Sequence, residues 1–119
     1  MTGVRNYKEL AVWQRSMELA QALYVPSERL PEVEKFGLTA QLRRGVVSVP
    51  SNIAEGYGRQ STGDYRHHLS IARGSLLEVE AQLLLCERLG YLKHDETAPL
   101  LDEVEQIAKM LAGLIAKLH

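Results

Sequence analysis

Cysteine is almost absent from this chain, and so are the sequence features of secreted and membrane proteins. Its 119 residues contain one cysteine, Cys86, which cannot form an internal disulfide and lies among leucines, as a small buried side chain does. No apolar run approaches the roughly 18 to 20 residues that span a bilayer. The first residues, MTGVRNYKEL, lack the apolar core of a secretory signal. We therefore expect a cytoplasmic protein that does not associate with membranes.

The common motifs of catalysis and cofactor binding are also missing. We find no nucleotide-binding glycine loop, nucleophile elbow or paired zinc motif. Asp64 and His67 form one acid-x-x-His element, whereas ferritin-like dimetal sites need two such elements and two further glutamates. His67 and His68 are adjacent, so on a helix they point about 100° apart and are poorly placed to share a metal. We expect solvated or loop-proximal histidines, and a protein that is not an enzyme and has no cofactor or metal.

No segment shows sustained alternation of polar and apolar residues, so helix is the only regular structure that the periodicity supports. The length suits one domain, and 45% hydrophobic with 24% charged residues is ordinary for a globular chain. Short loops between long helices favour antiparallel neighbours. The sequence therefore predicts an all-α domain over residues 1–119, an antiparallel up-and-down four-helix bundle.

The first predicted helix begins near Asn6, with Glu9 completing a capping box. It ends before Pro26, because the residue that precedes a proline is disfavoured in helical conformation. Pro31 then fits the first turn of the second helix, where a missing N–H costs nothing. The inward stripe predicted for the first helix is Leu10, Trp13, Met17, Ala20 and Tyr24.

Pro50 lies inside the second predicted helix, which Gly56 and Gly58 end. Proline removes the hydrogen bond to the carbonyl of Val46, which predicts a kink. The alternative is a true break, after which Asn52 caps a new short helix. The buried stripe predicted for this segment is Leu38, Leu42, Val46, Val49 and Ile53.

The third predicted helix begins with Ser61 and Asp64 as a capping box and ends at Gly90. Its roughly 28 residues would span about 40 Å. The fourth runs from about Glu96 or Ala98 to Leu118. The residues predicted to face the core are Tyr65, Leu69, Ala72, Leu76, Val79, Leu83 and Cys86 on the third helix, and Leu100, Val104, Ile107, Leu111, Leu114 and Leu118 on the fourth.

The two last helices carry more apolar residues than one bundle core needs. A broad core face is one explanation. Exposed apolar patches of this size mark interfaces, however, and we favour a homo-oligomer. The surplus residues are Ile71, Leu77, Leu84 and Leu85 on the third helix, and Leu101, Ala108 and Ile115 on the fourth.

Basic residues concentrate in the middle of the chain although the formal net charge is −1. Residues 36–75 contain five arginines against two acidic residues, net +3, whereas residues 76–119 contain four basic against eight acidic residues, net −4. Arg43 and Arg44 lack the i,i+4 carboxylate that usually accompanies arginine on a solvated helix. They are free to contact phosphate or a carboxylate of another subunit.

Five motifs carry a resemblance that spans nearly the whole chain. They are YKELAVW at 7–13, Leu30-Pro31 with Glu34, FGLTAQLRR at 36–44, SVPSNIAEGYGR at 48–59 and IARGSLLEVEAQL at 71–83. The chain resembles the four helix bundle protein family, first noticed as products of intervening sequences in bacterial 23S ribosomal RNA genes. It is also similar to the accessory variability determinants of diversity-generating retroelements.

The resemblance implies a homopentameric ring and supplies no catalytic residue. Arg43, Arg44 and Arg59 occupy basic motif positions of the family. Gly45 stands where an alanine is common, and residues 36–75 contain no lysine, a departure from the more basic retroelement proteins. Because affinity for nucleic acid scales with the number of neutralised phosphates, this departure predicts weaker binding.

Two functional hypotheses stay open at this stage. In the first, a non-enzymatic scaffold binds RNA or DNA through arginines that are repeated around the ring. Those candidates are Arg43, Arg44, Arg59, Arg66 and Arg73. In the second, the arginines make salt bridges between subunits of a protein–protein assembly that binds no nucleic acid. The opposing carboxylates would be Glu78, Glu80, Asp102, Glu103 and Glu105.

Overall fold

A computed structural model describes residues 6–118 of the chain. Four α-helices make up most of it, and no strand occurs within these residues. Two single turns of 3₁₀-helix, Tyr7–Glu9 and Glu32–Glu34, precede the first and second α-helices. The all-α prediction is confirmed. The helices are α1 (Ala11–Ser27), α2 (Leu38–Tyr57), α3 (Thr62–Arg88) and α4 (His94–Lys117).

The four helices form a bundle in which each packs against two neighbours. α2 packs against α1 and α3, and α4 packs against the same two helices. Among the described residues α1 and α3 do not approach each other, so they lie on the diagonal. Contacts between α2 and α3 pair early residues of one helix with late residues of the other: Gly45 with Val79, Ser48 with Ser75, Asn52 with His68.

One apolar cluster fills the space between the helices. The stripe predicted for α2 is buried in full, and so is the stripe of α3 except for Tyr65, which is half-buried. On α4 the predicted residues are buried up to Leu111, whereas Leu114 and Leu118 are half-buried. Strict spacing by three and four residues on α2 and α3 made these stripes predictable.

The start and end predicted for α1 are wrong. The side chain of Asn6 accepts a hydrogen bond from the backbone N–H of Lys8 at 2.8 Å, but it caps only the 3₁₀ turn, and α1 begins at Ala11. The helix continues through Pro26 to Ser27. Only one helical residue follows the proline, and the backbone N–H of Glu28 already bonds to the carbonyl of Val25. The missing N–H therefore falls in a turn that is changing to i,i+3 bonding.

The stripe predicted to face inward on α1 is wrong for Met17 and Tyr24, which are 45% and 40% exposed. Leu10, Trp13 and Ala20 are half-buried and pack against the edge of the core. The true inward face is one residue away, which is about 100° around the helix. This face does not read as an apolar stripe in the sequence, because two of its positions are serines. The serines can be buried since their hydroxyls donate to carbonyls of the preceding turn. The buried residues are Val12, Ser16, Leu19, Leu23 and Ser27.

α2 is continuous through Pro50, so the alternative of a true break is wrong and the kink stays a prediction. Asn52 does not cap a helix. Its side-chain amide donates to the carbonyl of Ser48 at 2.9 Å. The helix begins at Leu38 rather than near Pro31, and the Glu34 carboxylate accepts from the backbone N–H of Leu38 at 3.0 Å.

The ends of α3 are as predicted, but α4 starts earlier. The Ser61 hydroxyl accepts from the backbone N–H of Asp64 at 3.0 Å, and Gly90 takes a φ of 77° after the helix. α4 begins at His94, because the Glu96 carboxylate accepts from the backbone N–H of Lys93 at 3.0 Å and so caps the helix from within. The hydroxyl of Thr97 donates a hydrogen bond to the Glu87 carboxylate and so connects the start of α4 to the end of α3. This hydrogen bond lowers the pKa of the Glu87 carboxyl.

The contact between α2 and α3 at Gly56 yields a test of the fold. A Cβ atom at Gly56 would lie 2.6 Å from the Cβ of His68, so we expect Gly56→Ala to destabilise the protein by about 1 to 3 kcal/mol. At Gly113 a Cβ would meet no atom within 4 Å. Gly113→Ala should stabilise α4 by about 0.5 to 1 kcal/mol. Urea unfolding at one protomer concentration measures both, and equal effects would contradict the packing described.

Candidate functional site

Arg43, the first of the five candidate arginines, is engaged inside the subunit. Its Nε donates to the Ser27 hydroxyl at 2.9 Å, and its guanidinium carbon lies 4.7 Å from the centre of the Tyr24 ring. Both partners belong to α1. The guanidinium therefore ties α2 to α1 through a hydrogen bond and a cation–π contact.

Arg44 has a different environment although it is the next residue. It is exposed, and it makes no hydrogen bond or ion pair with another residue in the described range 6–118. It lines a polar depression of about 370 Å³ between α2 and α3, together with Glu78. The side-chain carbonyl oxygen of Gln82, which also lines this depression, is buried and has no partner among the described residues.

Gly45 forms part of the floor of that depression. A Cβ at this position would lie 2.9 Å from the Cγ2 of Val79. An alanine at this position would push α2 and α3 slightly apart. The glycine lets the two helices approach closely.

Arg59 and Arg66 also have partners within the subunit. Nη2 of Arg59 lies 2.6 Å from the Glu55 carboxylate, one turn earlier, and both side chains are well exposed. Nη1 of Arg66 donates to the carbonyl of Leu118 at 2.8 Å. That carbonyl lies at the end of α4, where a positive charge is favourable.

Arg73 is exposed and has no partner in the described part of the chain. It follows Arg66 by seven residues, so both lie on the edge of α3 that faces α4. The other candidates lie elsewhere: Arg43 on the side of α1, and Arg44 in the depression between α2 and α3. Within one subunit the structure brings Arg66 and Arg73 onto one edge and does not join the five arginines in a single patch.

An apolar groove of about 670 Å³ runs between α1 and α2. We call it the α1–α2 groove. All the residues that sequence analysis assigned to the core stripe of α1, except Leu10, line one wall, and part of α2 lines the other. Sequence reasoning missed the groove, although the signal was available: α1 carries two apolar stripes one residue apart. Its apolar lining is Tyr7, Trp13, Met17, Ala20, Tyr24, Val47, Pro50 and Ala54.

The surplus apolar residues of α3 are exposed, with Leu77 at 48% and both Leu84 and Leu85 at 45%. They occupy two edges. Leu77 and Leu84 follow Arg66 by 11 and 18 residues, which places them on the edge facing α4. Ile71 and Leu85 lie seven residues to either side of Glu78, on the edge facing α2. On α4, by contrast, the surplus residues pack against the core: Leu101, Ala108 and Ile115 are half-buried, so a broad core face explains that helix.

Cys86 is fully buried in the core, which confirms the prediction from its leucine-rich surroundings. Burial raises the pKa of its thiol to about 11, so the thiol stays protonated and unreactive at neutral pH. His68 is not solvated as expected, because its Nδ1 lies 3.1 Å from the Asn52 side-chain oxygen between α2 and α3. No three metal-binding side chains gather within residues 6–118, and no helix there is long and apolar enough to cross a membrane.

Comparison with known proteins identifies a family for this chain. The sequence model of the family described as 23S rRNA-intervening sequence protein matches residues 8–113. The chain belongs to this family. A similar solved structure is a protein of unknown function from the S23 ribosomal protein family of Bacteroides thetaiotaomicron. The two share 26% identity, the match covers 88% of this chain and 98% of that one, and the TM-score is 0.80. No protein of curated function matches.

The contrasting surroundings of Arg43 and Arg44 give a second test. We expect Arg43→Ala to lower the free energy of unfolding by about 1 to 2 kcal/mol, because a half-buried hydrogen bond and a cation–π contact are lost. Arg44→Ala should change it by no more than about 0.5 kcal/mol. Urea unfolding at a fixed protomer concentration compares these neighbouring substitutions. A larger effect at Arg44 would show that the two roles are assigned the wrong way round.

Proposed function

We propose that this protein is a non-enzymatic scaffold that assembles into a homo-oligomer, a ring of five subunits as the family resemblance implies. The observation that carries the proposal is the pair of exposed apolar surfaces, the α1–α2 groove and the edge of α3 that carries Leu77 and Leu84. Exposed apolar side chains that are grouped on one side of a bundle are typical of interfaces. Covering a leucine that is half exposed contributes on the order of 1 kcal/mol.

The surroundings of the reactive residues support a role without catalysis. The thiol of Cys86 is protonated and enclosed by the core. Asp64 and His67 are both exposed at the start of α3. The α1–α2 groove is lined mainly by apolar side chains, with Glu18 as its charged residue, whereas active sites need several converging polar groups.

The assembly is tested by the mass of the protein in solution. Light scattering after size exclusion should give about five times the chain mass of 13.3 kDa. The thermal unfolding midpoint should rise with protomer concentration, because association stabilises the folded state. A mass of one chain, together with a midpoint that is independent of concentration, would contradict the proposal.

Nucleic-acid binding by the assembled ring is a second candidate function. Arg44 and Arg73 favour it, because both guanidinium groups are exposed and unpaired within the described residues. The other three candidates already contact groups of their own subunit, so Arg44 and Arg73 are the stronger candidates. Those three are Arg43, Arg59 and Arg66. Repetition around a ring would turn two weak phosphate contacts per subunit into a substantial positive field.

A salt series tests this second candidate. RNA and DNA binding by the wild-type oligomer should weaken linearly in log–log form as salt rises, and Arg44→Glu should reduce both the affinity and the slope. Lys109→Glu on α4 is the matched control, since it changes the net charge by the same amount. No binding at low salt would remove the candidate. Loss of the oligomer in Arg44→Glu would instead support a salt bridge between subunits.

A further inference from the structure

We infer that the subunits associate head to tail, with the α3 ridge of one copy lying in the α1–α2 groove of the next. The α3 ridge is formed by Leu77 and Leu84 on the edge of α3 that faces α4. The inference rests on the proposed assembly and specifies which surfaces make it. The occupant of the groove is a second copy of this chain.

The two surfaces lie on different sides of the bundle. α1 and α3 are diagonal to each other, and the ridge is on the edge of α3 that faces away from α2. A subunit therefore cannot cover its own groove with its own ridge. A symmetric dimer through one surface would leave the other surface exposed to water. A contact between unlike surfaces covers both, and such contacts generate rings when the rotation closes.

The spacing of the two leucines suits packing into a groove between two helices. Leu77 and Leu84 are seven residues apart, which places them about 10.5 Å apart along one edge of the helix. The groove lies between two helices, and small side chains at Ala20, Ser51 and Ala54 leave room for a third. Packing one row of side chains between two others is the ordinary mode of helix association. The flexible Met17 side chain can adapt to the incoming leucines.

The charges at the rims are also complementary. Arg73 precedes Leu77 by one turn, and Arg88 follows Leu84 by one turn, so positive charge stands at both ends of the ridge. Both arginines are exposed and unpaired within residues 6–118. Glu18 is exposed and lines the groove, and although it forms no ion pair within residues 6–118, its charge also acts on Arg15 of the same helix. Opposite charges at the rim fix the register of an interface and exclude wrong partners.

Mixing two variants tests the pairing directly. Met17→Glu places a charge in the groove and Leu84→Glu places one on the ridge, so each variant alone should be a monomer by light scattering. Each variant keeps the surface that the other has lost. An equimolar mixture should therefore form a 1:1 complex of about twice the 13.3 kDa chain mass and no larger species.

Neighbouring residues supply matched controls. Leu85→Glu changes a leucine of equal exposure, 45%, on the opposite edge of α3. Val25→Glu changes a residue of α1 that is 60% exposed and lies outside the groove. Both controls should keep the mass of the wild type. Circular dichroism of all four variants checks that the bundle still folds.

The outcomes separate this inference from the proposed function. A monomeric wild type would remove the proposed assembly itself. An oligomeric wild type whose two variants stay monomeric when mixed would show that groove and ridge do not pair with each other. Leu84→Glu forming a dimer by itself would show that the groove pairs with another groove. Wild-type mass in either variant would exclude that surface from the interface.

Discussion

The close approach of α2 and α3 is the constraint on which the rest of the structure depends. Gly45 and Gly56 stand where a Cβ would meet Val79 and His68 at 2.9 Å and 2.6 Å. Polar pairs cross the same interface, with the Ser48 hydroxyl 2.9 Å from that of Ser75. Partly buried polar pairs of this kind favour a single register, because a shifted register would leave these groups unpaired. α1 and α4 then pack on the pair that these contacts hold.

Arginine serves several purposes in this small bundle, and its type alone does not reveal which. Arg43 ties α2 to α1, and Arg66 reaches the end of α4. Arg44 and Arg73 keep their charge directed to solvent. A cation that satisfies groups of its own subunit contributes less to a distant partner than one that is unpaired. Some arginines of residues 36–75 therefore stabilise the fold, and others supply charge at the surface.

Local patterns were sufficient for the buried stripes of α2 and α3 but not for that of α1. Strict apolar spacing identified the stripe from Leu38 to Ile53. The glycine at position 90 predicted the end of α3, and in the structure it takes the positive φ that favours glycine. On α1 the inward positions include Ser16 and Ser27, so periodicity chose the neighbouring stripe. The missing carboxylate beside Arg43 was visible in sequence. Its actual partners lie 16 and 19 residues away on another helix, and no local pattern reports such contacts.

The diagonal placement of α1 and α3 has a consequence for the architecture of the proposed assembly. The angle between the α1–α2 groove and the α3 ridge would determine the curvature of a chain of subunits. That angle depends on how the helices cross inside each subunit, where Gly45 and Gly56 permit the close approach of α2 to α3. A subunit whose helices crossed differently could keep every contact residue and still propagate an open fibre instead of closing.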